Sequence, residues 1–204
     1  NEVGQLIQYK SVNTVTDDPE AYLNDLCDQV IINQSLIYVG SICAIFNIPL
    51  LFIFLSCNSF RERFLLLITL ACADLLNCIS IVAQGTHKSA FFLEVISTSL
   101  MPIKTPFDCA GELWLMLRDI GGLWAPMIQV IMGAERMLAV FKPASYNRTY
   151  SVRSISPVLF SILFVIANLS AAIHVGWTNR EHKVKFYCGR KSAFGDNYGT
   201  YIYV

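Results

Sequence analysis

Charge is scarce in the apolar stretches of this 204-residue chain, and where it occurs its placement points to chemistry. Asp74 stands alone, while Arg118-Asp119 and Glu135-Arg136 are adjacent opposite pairs. A charged side chain at the middle of a membrane helix costs about 2.5–3.5 kcal/mol on insertion scales, so it must face other helices, water or a partner. Asp74 lies in the segment Leu70-Ala71-Cys72-Ala73-Asp74-Leu75-Leu76, and Asn47 in the preceding apolar stretch is its candidate polar partner. Catalysis finds no such support. His87, His174 and His182 are scattered, and none has the acid, serine or histidine neighbour that hydrolysis inside a membrane needs. No Cys/His spacing resembles a zinc site. We therefore expect no enzyme, no metal and no cofactor.

The elements that must hold these residues are long and apolar. Only 15% of residues are charged against 54% hydrophobic, whereas a soluble domain carries about 25% charged residues. The net charge is zero, with no Lys/Arg cluster, so a nucleic-acid partner is not expected. Residues 29–60 hold no charge at all, 64–84 hold only Asp74, and 154–178 hold none. Each run is long enough to cross a hydrocarbon layer of about 30 Å as a helix. The pattern predicts an all-α transmembrane bundle with helices over 34–57, 64–84, 109–141 and 155–177. A further apolar pattern starts near 198 with Tyr201-Ile202-Tyr203-Val204, which reads as the first turn of a fifth helix in a fragment of a longer chain.

Residues 1–33 are read as an acidic, flexible tail, with Glu2, Asp17, Asp18, Glu20, Asp25 and Asp28 against Lys10. No Lys or Arg closely precedes the first helix, whereas Arg61 and Arg63 follow it. The bias of Lys and Arg towards the cytoplasmic side then places the tail outside the cell. Of the seven cysteines, Cys43, Cys57, Cys72 and Cys78 fall within helices as small packing residues. Cys27, Cys109 and Cys188 face the oxidising side, an odd number that leaves one without a partner here. Of the Asn-x-Ser/Thr sequences at Asn33, Asn147 and Asn168, only Asn33 is outside in this topology, so it is the glycosylation candidate.

Taken together, these residues carry a resemblance. Glu135, Arg136, Ala139, Val140 and Pro143 have the types and spacing of the motif that ends helix three in the rhodopsin-like family of G-protein-coupled receptors. Asn47 is similar to that family's helix-one asparagine, and Asp74 to its helix-two aspartate. The resemblance runs from about residue 34 to 204 and implies the first four helices, and the start of a fifth, of a seven-helix receptor domain. It implies a disulfide between Cys109 and Cys188, with Cys27 as a competing partner. It also implies a plasma-membrane protein that binds an extracellular small molecule or peptide and signals to a heterotrimeric G protein. Arg136 would reach the G protein and Glu135 would hold it at rest, unless the pair only anchors the helix at the lipid headgroups. Arg118 sits where the family often contacts ligand, beside Asp119 and one turn below Trp114. As a ligand contact it would favour an anion; alternatively it pairs within the bundle or stacks on Trp114.

The departures are also specific. Met137 replaces the motif's aromatic, Phe160 stands near the place of the helix-four tryptophan, and Ala125 stands where a sodium-site serine is frequent. The interval from Cys109 to Arg136 is slightly longer than the family's, and Gly121, Gly122 and Pro126 are expected to absorb the excess in a kink. Such divergence is similar to that of nematode chemoreceptors or of divergent peptide receptors. A transporter fragment and a non-signalling four-helix adaptor are the alternatives.

Overall fold

The computed structural model describes residues 9–11, 19–57, 64–143, 155–178, 188–190 and 192–195. Among the described residues the main elements follow one another as β1 (Tyr9–Ser11), α1 (Pro19–Ser56), α2 (Leu65–Thr98), β2 (Leu100–Pro102), α3 (Pro106–Ala110), α4 (Leu113–Phe141) and α5 (Ser156–Thr178). The fold class is all-α, a transmembrane helical bundle, and α1, α2, α4 and α5 are each long and apolar enough to cross a membrane. In lipid a backbone N–H or C=O finds no water, so an apolar run of this length closes its hydrogen bonds within a helix. Large apolar side chains remain open on these helices, among them Tyr38, Phe46 and Phe52 on α1 and Val140 and Phe141 on α4. Lipid contact is what such a surface suits.

The helices differ from expectation at one set of ends. α1 starts at Pro19, not 34, and its 38 residues rise about 57 Å. α2 runs to Thr98, not 84, and its 34 residues rise about 51 Å. Both exceed a hydrocarbon layer of about 30 Å. The added turns are held by packing, since Leu26 and Val30 of α1 bury against Phe92 and Val95 of α2 and Met101 of β2. The acidic segment is therefore not wholly a flexible tail. From Pro19 it is helix, and Tyr9–Ser11 forms an antiparallel ladder with Leu100–Pro102, in the register Tyr9 to Pro102 and Ser11 to Leu100.

The third expected helix also divides. Cys109 belongs to the five-residue α3, and the long helix starts only at Leu113. A reciprocal cap at Thr105 explains the separate start: its hydroxyl accepts from the Asp108 N–H, and the Asp108 carboxylate accepts from the Thr105 N–H. The extra length between Cys109 and Arg136 thus lies before α4, and α4 continues unbroken through Gly121, Gly122 and Pro126. The expected fifth helix near 198 and the segments bearing Arg61, Arg63 and Asn147 lie outside the described residues.

The chain forms two compact units: residues 1–39, 81–116 and 171–204 in the first, and 40–80 and 117–170 in the second. Within the second, α2 and α4 approach at Gly121, where an added Cβ would lie 2.7 Å from the Asn77 Cα. Ala71, Ala73, Ser80, Ala125 and Ser161 are buried there, a run of small residues that lets helix backbones close up. Trp124 Nε1 donates to Ser161 Oγ at 3.2 Å, linking α4 to α5.

Candidate functional site

The first unit contains a recess built by four segments. His87, Lys88 and Phe91 come from α2, Lys104 from the turn before α3, Glu112 and Trp114 from the start of α4, and Cys188 from the segment after α5. It encloses about 200 Å³ of empty space, counting what opens to solvent. Cys188 of its lining is bonded to Cys109, and Ala110, Trp114, Leu115, Ala172 and Phe194 are buried in one cluster with the pair. Gly176 of α5 allows that packing, because an added Cβ would come within 3.1 Å of the Ala110 Cβ.

Charge in the recess is ordered around one carboxylate. Lys104 Nζ lies 2.6 Å from Glu112 Oε1, and His87 Nε2 lies 3.7 Å from Glu112 Oε2. Lys88 Nζ stands over the Trp114 ring, 5.2 Å from its centroid, and Lys104 Nζ is 5.4 Å from the centroid of Phe91. Cations on aromatic faces are attracted by the ring quadrupole, by about 0.5–2 kcal/mol depending on desolvation. The Trp114 indole N–H is buried and has no hydrogen-bond acceptor among the described residues. Leaving such a donor unsatisfied costs about 1–3 kcal/mol.

The polar residues of the second unit are arranged differently. Arg118 Nη1 donates to Asn77 Oδ1 at 2.5 Å, joining α4 to α2. Asp119, one position on, is 1% exposed. Asn47 Nδ2 donates to the Cys43 carbonyl at 3.0 Å and contacts Cys78 Sγ at 3.9 Å. Among the described residues, no hydrogen bond joins Asn47 to the half-buried Asp74.

No protein family, curated protein or solved structure compared with the chain matches it.

The residues expected to form a ligand site each have their own surroundings. Trp114 lies in the first unit and lines the recess, while Arg118 and Asp119 lie in the second, Arg118 bonded to a helix neighbour and Asp119 buried. The disulfide joins Cys109 to Cys188 as the resemblance implied, and Cys27 is a free, exposed thiol on α1. Asn33 falls inside α1, 4% exposed, with its Nδ2 donating to the Gln29 carbonyl at 2.6 Å. A helical, buried amide already engaged as a donor has no room for a sugar, so the expectation of a glycan there does not fit this fold. Glu135 is half-buried and Arg136 exposed near the end of α4, with Ala139 half-buried and Val140 and Pro143 exposed after them.

The recess itself was missed in the sequence. Ending the second helix at Gln84 left His87, Lys88 and Phe91 in a loop. A signal was present: Phe91, Phe92, Val95 and Ile96 restore the spacing of three to four residues that marks one face of a helix.

Proposed function

We propose that the chain is the ligand-sensing and transducing part of a rhodopsin-like receptor in the plasma membrane, with its N-terminal segment outside the cell. The observation that carries this reading is the Cys109–Cys188 bond, which ties the short α3, just before α4, to the segment after α5 in a chain with four helices able to span a membrane. Disulfides persist in oxidising compartments. Residues 1–39 belong to the same compact unit as the bond, which supports an extracellular N-terminal segment. Between Leu113 and Arg136 the helix rises about 35 Å, enough to carry α4 from one side of a membrane to the other. Arg136 is then exposed on the cytoplasmic side, available to a heterotrimeric G protein, and Glu135 beside it restrains it at rest.

The test is basal nucleotide exchange on co-expressed G proteins by the full-length protein, corrected for surface expression. Glu135→Gln should raise exchange and Arg136→Ala should abolish it. If both variants reach the surface and exchange nucleotide like the parent, the receptor reading fails.

A further inference from the structure

We infer that Tyr38, Phe107, Leu113 and Trp177 form a belt seated in the phospholipid headgroup layer, on the face of the membrane that bears the disulfide. The partner is a lipid surface, and the inference is independent of any receptor activity. Three observations converge. First, the open surface of α1 changes character along its length. Asp25 and Asp28 are exposed, the exposed positions from Ile31 to Ser35 are uncharged, and Tyr38 is followed by exposed Val39, Ile42 and Ile45. Charges stay in water, and a ring with a polar tip such as Tyr38 is enriched where water meets lipid. Secondly, α5 carries no charge, and its 23 residues rise about 35 Å, little more than a hydrocarbon layer of about 30 Å. Its end at Trp177 therefore falls at a boundary. There the exposed Trp177 ring meets the exposed Phe107 ring edge to face, with centroids 5.1 Å apart, and Asp108 beside Phe107 is exposed as well. Open rings beside an open carboxylate suit a layer that offers both chemistries. Thirdly, close contacts put these positions at one level. An added Cβ on Gly85 of α2 would lie 2.7 Å from the Asn33 carbonyl oxygen of α1. The His87 ring, half a turn on, is 5.9 Å from that of Trp114, which shares a buried cluster with Ala110, and Ala110 packs on Gly176 of α5. On α2 no charge lies between Asp74 and Gly85, whereas His87, Lys88 and Glu94 follow. From this level the turns Pro19–Asn33 and Gly85–Thr98 run on for about 20 Å on the water side.

Tryptophan quenching on the full-length protein in phosphatidylcholine nanodiscs tests the belt, with lipids brominated near the headgroup or near the chain end. The Trp177 signal is the difference between the parent and Trp177→Phe. Bromines near the headgroup should quench it about twofold more than bromines near the chain end. Equal or stronger quenching by the deep bromines overturns the inference. Quenching by aqueous iodide alone, which puts the ring in water, overturns it too. So does quenching by neither, which puts a second copy or another protein over the ring. Peptide mapping after treatment with a membrane-impermeant maleimide needs no variant. Cys27, an exposed thiol beside Asp28, should be labelled in intact nanodiscs. Cys43, also exposed but about 15 Å further along α1 than Asn33, should be labelled only after the lipid is dissolved. Labelling of Cys43 in intact nanodiscs, or protection of Cys27, overturns the level. If Trp177→Phe does not fold by circular dichroism, the thiol labelling decides.

Discussion

The two compact units solve the problem of burial with different chemistry. In the first, large buried groups form two clusters: Trp114, Leu115 and Phe194 pack around a disulfide, Phe92 and Val95 pack against Leu26 and Val30, and an ion pair and a strand ladder add further ties. Such a core resembles that of a water-soluble domain, where removing apolar area from water is the driving force. In the second, small residues take a larger share, with Ala71, Ala73, Ser80, Gly121, Ala125 and Ser161 buried beside Ile68, Ile128 and Val165. Lipid is as apolar as leucine, so burying a side chain against a helix gains little there, and close backbone approach with a few polar bonds must hold the helices. The contrast teaches that one set of helices can be held by two kinds of packing along its length. Substitutions should therefore act by different rules in each.

The largest effect is expected at the disulfide. Replacing both Cys109 and Cys188 by serine opens a loop with a sequence separation of 79, for which chain entropy gives about 4 kcal/mol. Hydrogen–deuterium exchange should then rise in Leu113–Met116 and 171–178 and change little in 65–80. A uniform rise over both units would break the contrast. Next comes Gly121→Ala, whose methyl would meet the Asn77 backbone at 2.7 Å and should cost about 1–3 kcal/mol by overpacking. Thermal unfolding in detergent checks this, and an unchanged midpoint would show that the close approach does not hold the second unit together. The smallest effect has the opposite sign. Gly133 on α4 meets nothing within 4 Å, so Gly133→Ala should stabilise by about 0.5–1 kcal/mol through helix propensity alone. Destabilisation there would mean that the open face of α4 is covered in the folded protein.

The same division explains what the sequence made legible. Within the bilayer, the length of an apolar run is itself the signal, and charges mark its limits. Ser56, Leu65, Phe141 and Thr178 end or begin helices within one residue of expectation, because Arg61, Arg63 and the Lys142-Pro143 stop lie just beyond. Outside the bilayer no such length rule holds. The turns from Pro19 and those up to Thr98 exist because Leu26, Val30, Phe92 and Val95 find one another across distant parts of the chain, which periodicity along one segment does not show. The cysteine pair was legible only through the resemblance, because Cys27, Cys109 and Cys188 were all expected on one side and residue type alone does not choose among them. The recess was not, because four segments build it, and its two lysines read as ordinary loop charges. Arg118 was legible as an expensive charge, but Asn77, the neighbour that accepts its hydrogen bond, carries no charge to draw notice.

The short ladder between Tyr9–Ser11 and Leu100–Pro102 imposes an order on biosynthesis. A ribosome finishes the first strand long before it reaches the second, with α1 and α2 made in between. During that interval β1 is an unpaired edge exposed to any other extended chain. A strand of three residues offers little to a wrong partner, and Pro102, lacking an N–H, removes one donor from the ladder that finally forms. Completion of this clasp requires α1 and α2 to run in opposite senses, so that the chain returns to the side it left, and a label whose signal depends on β1 pairing would time that return directly.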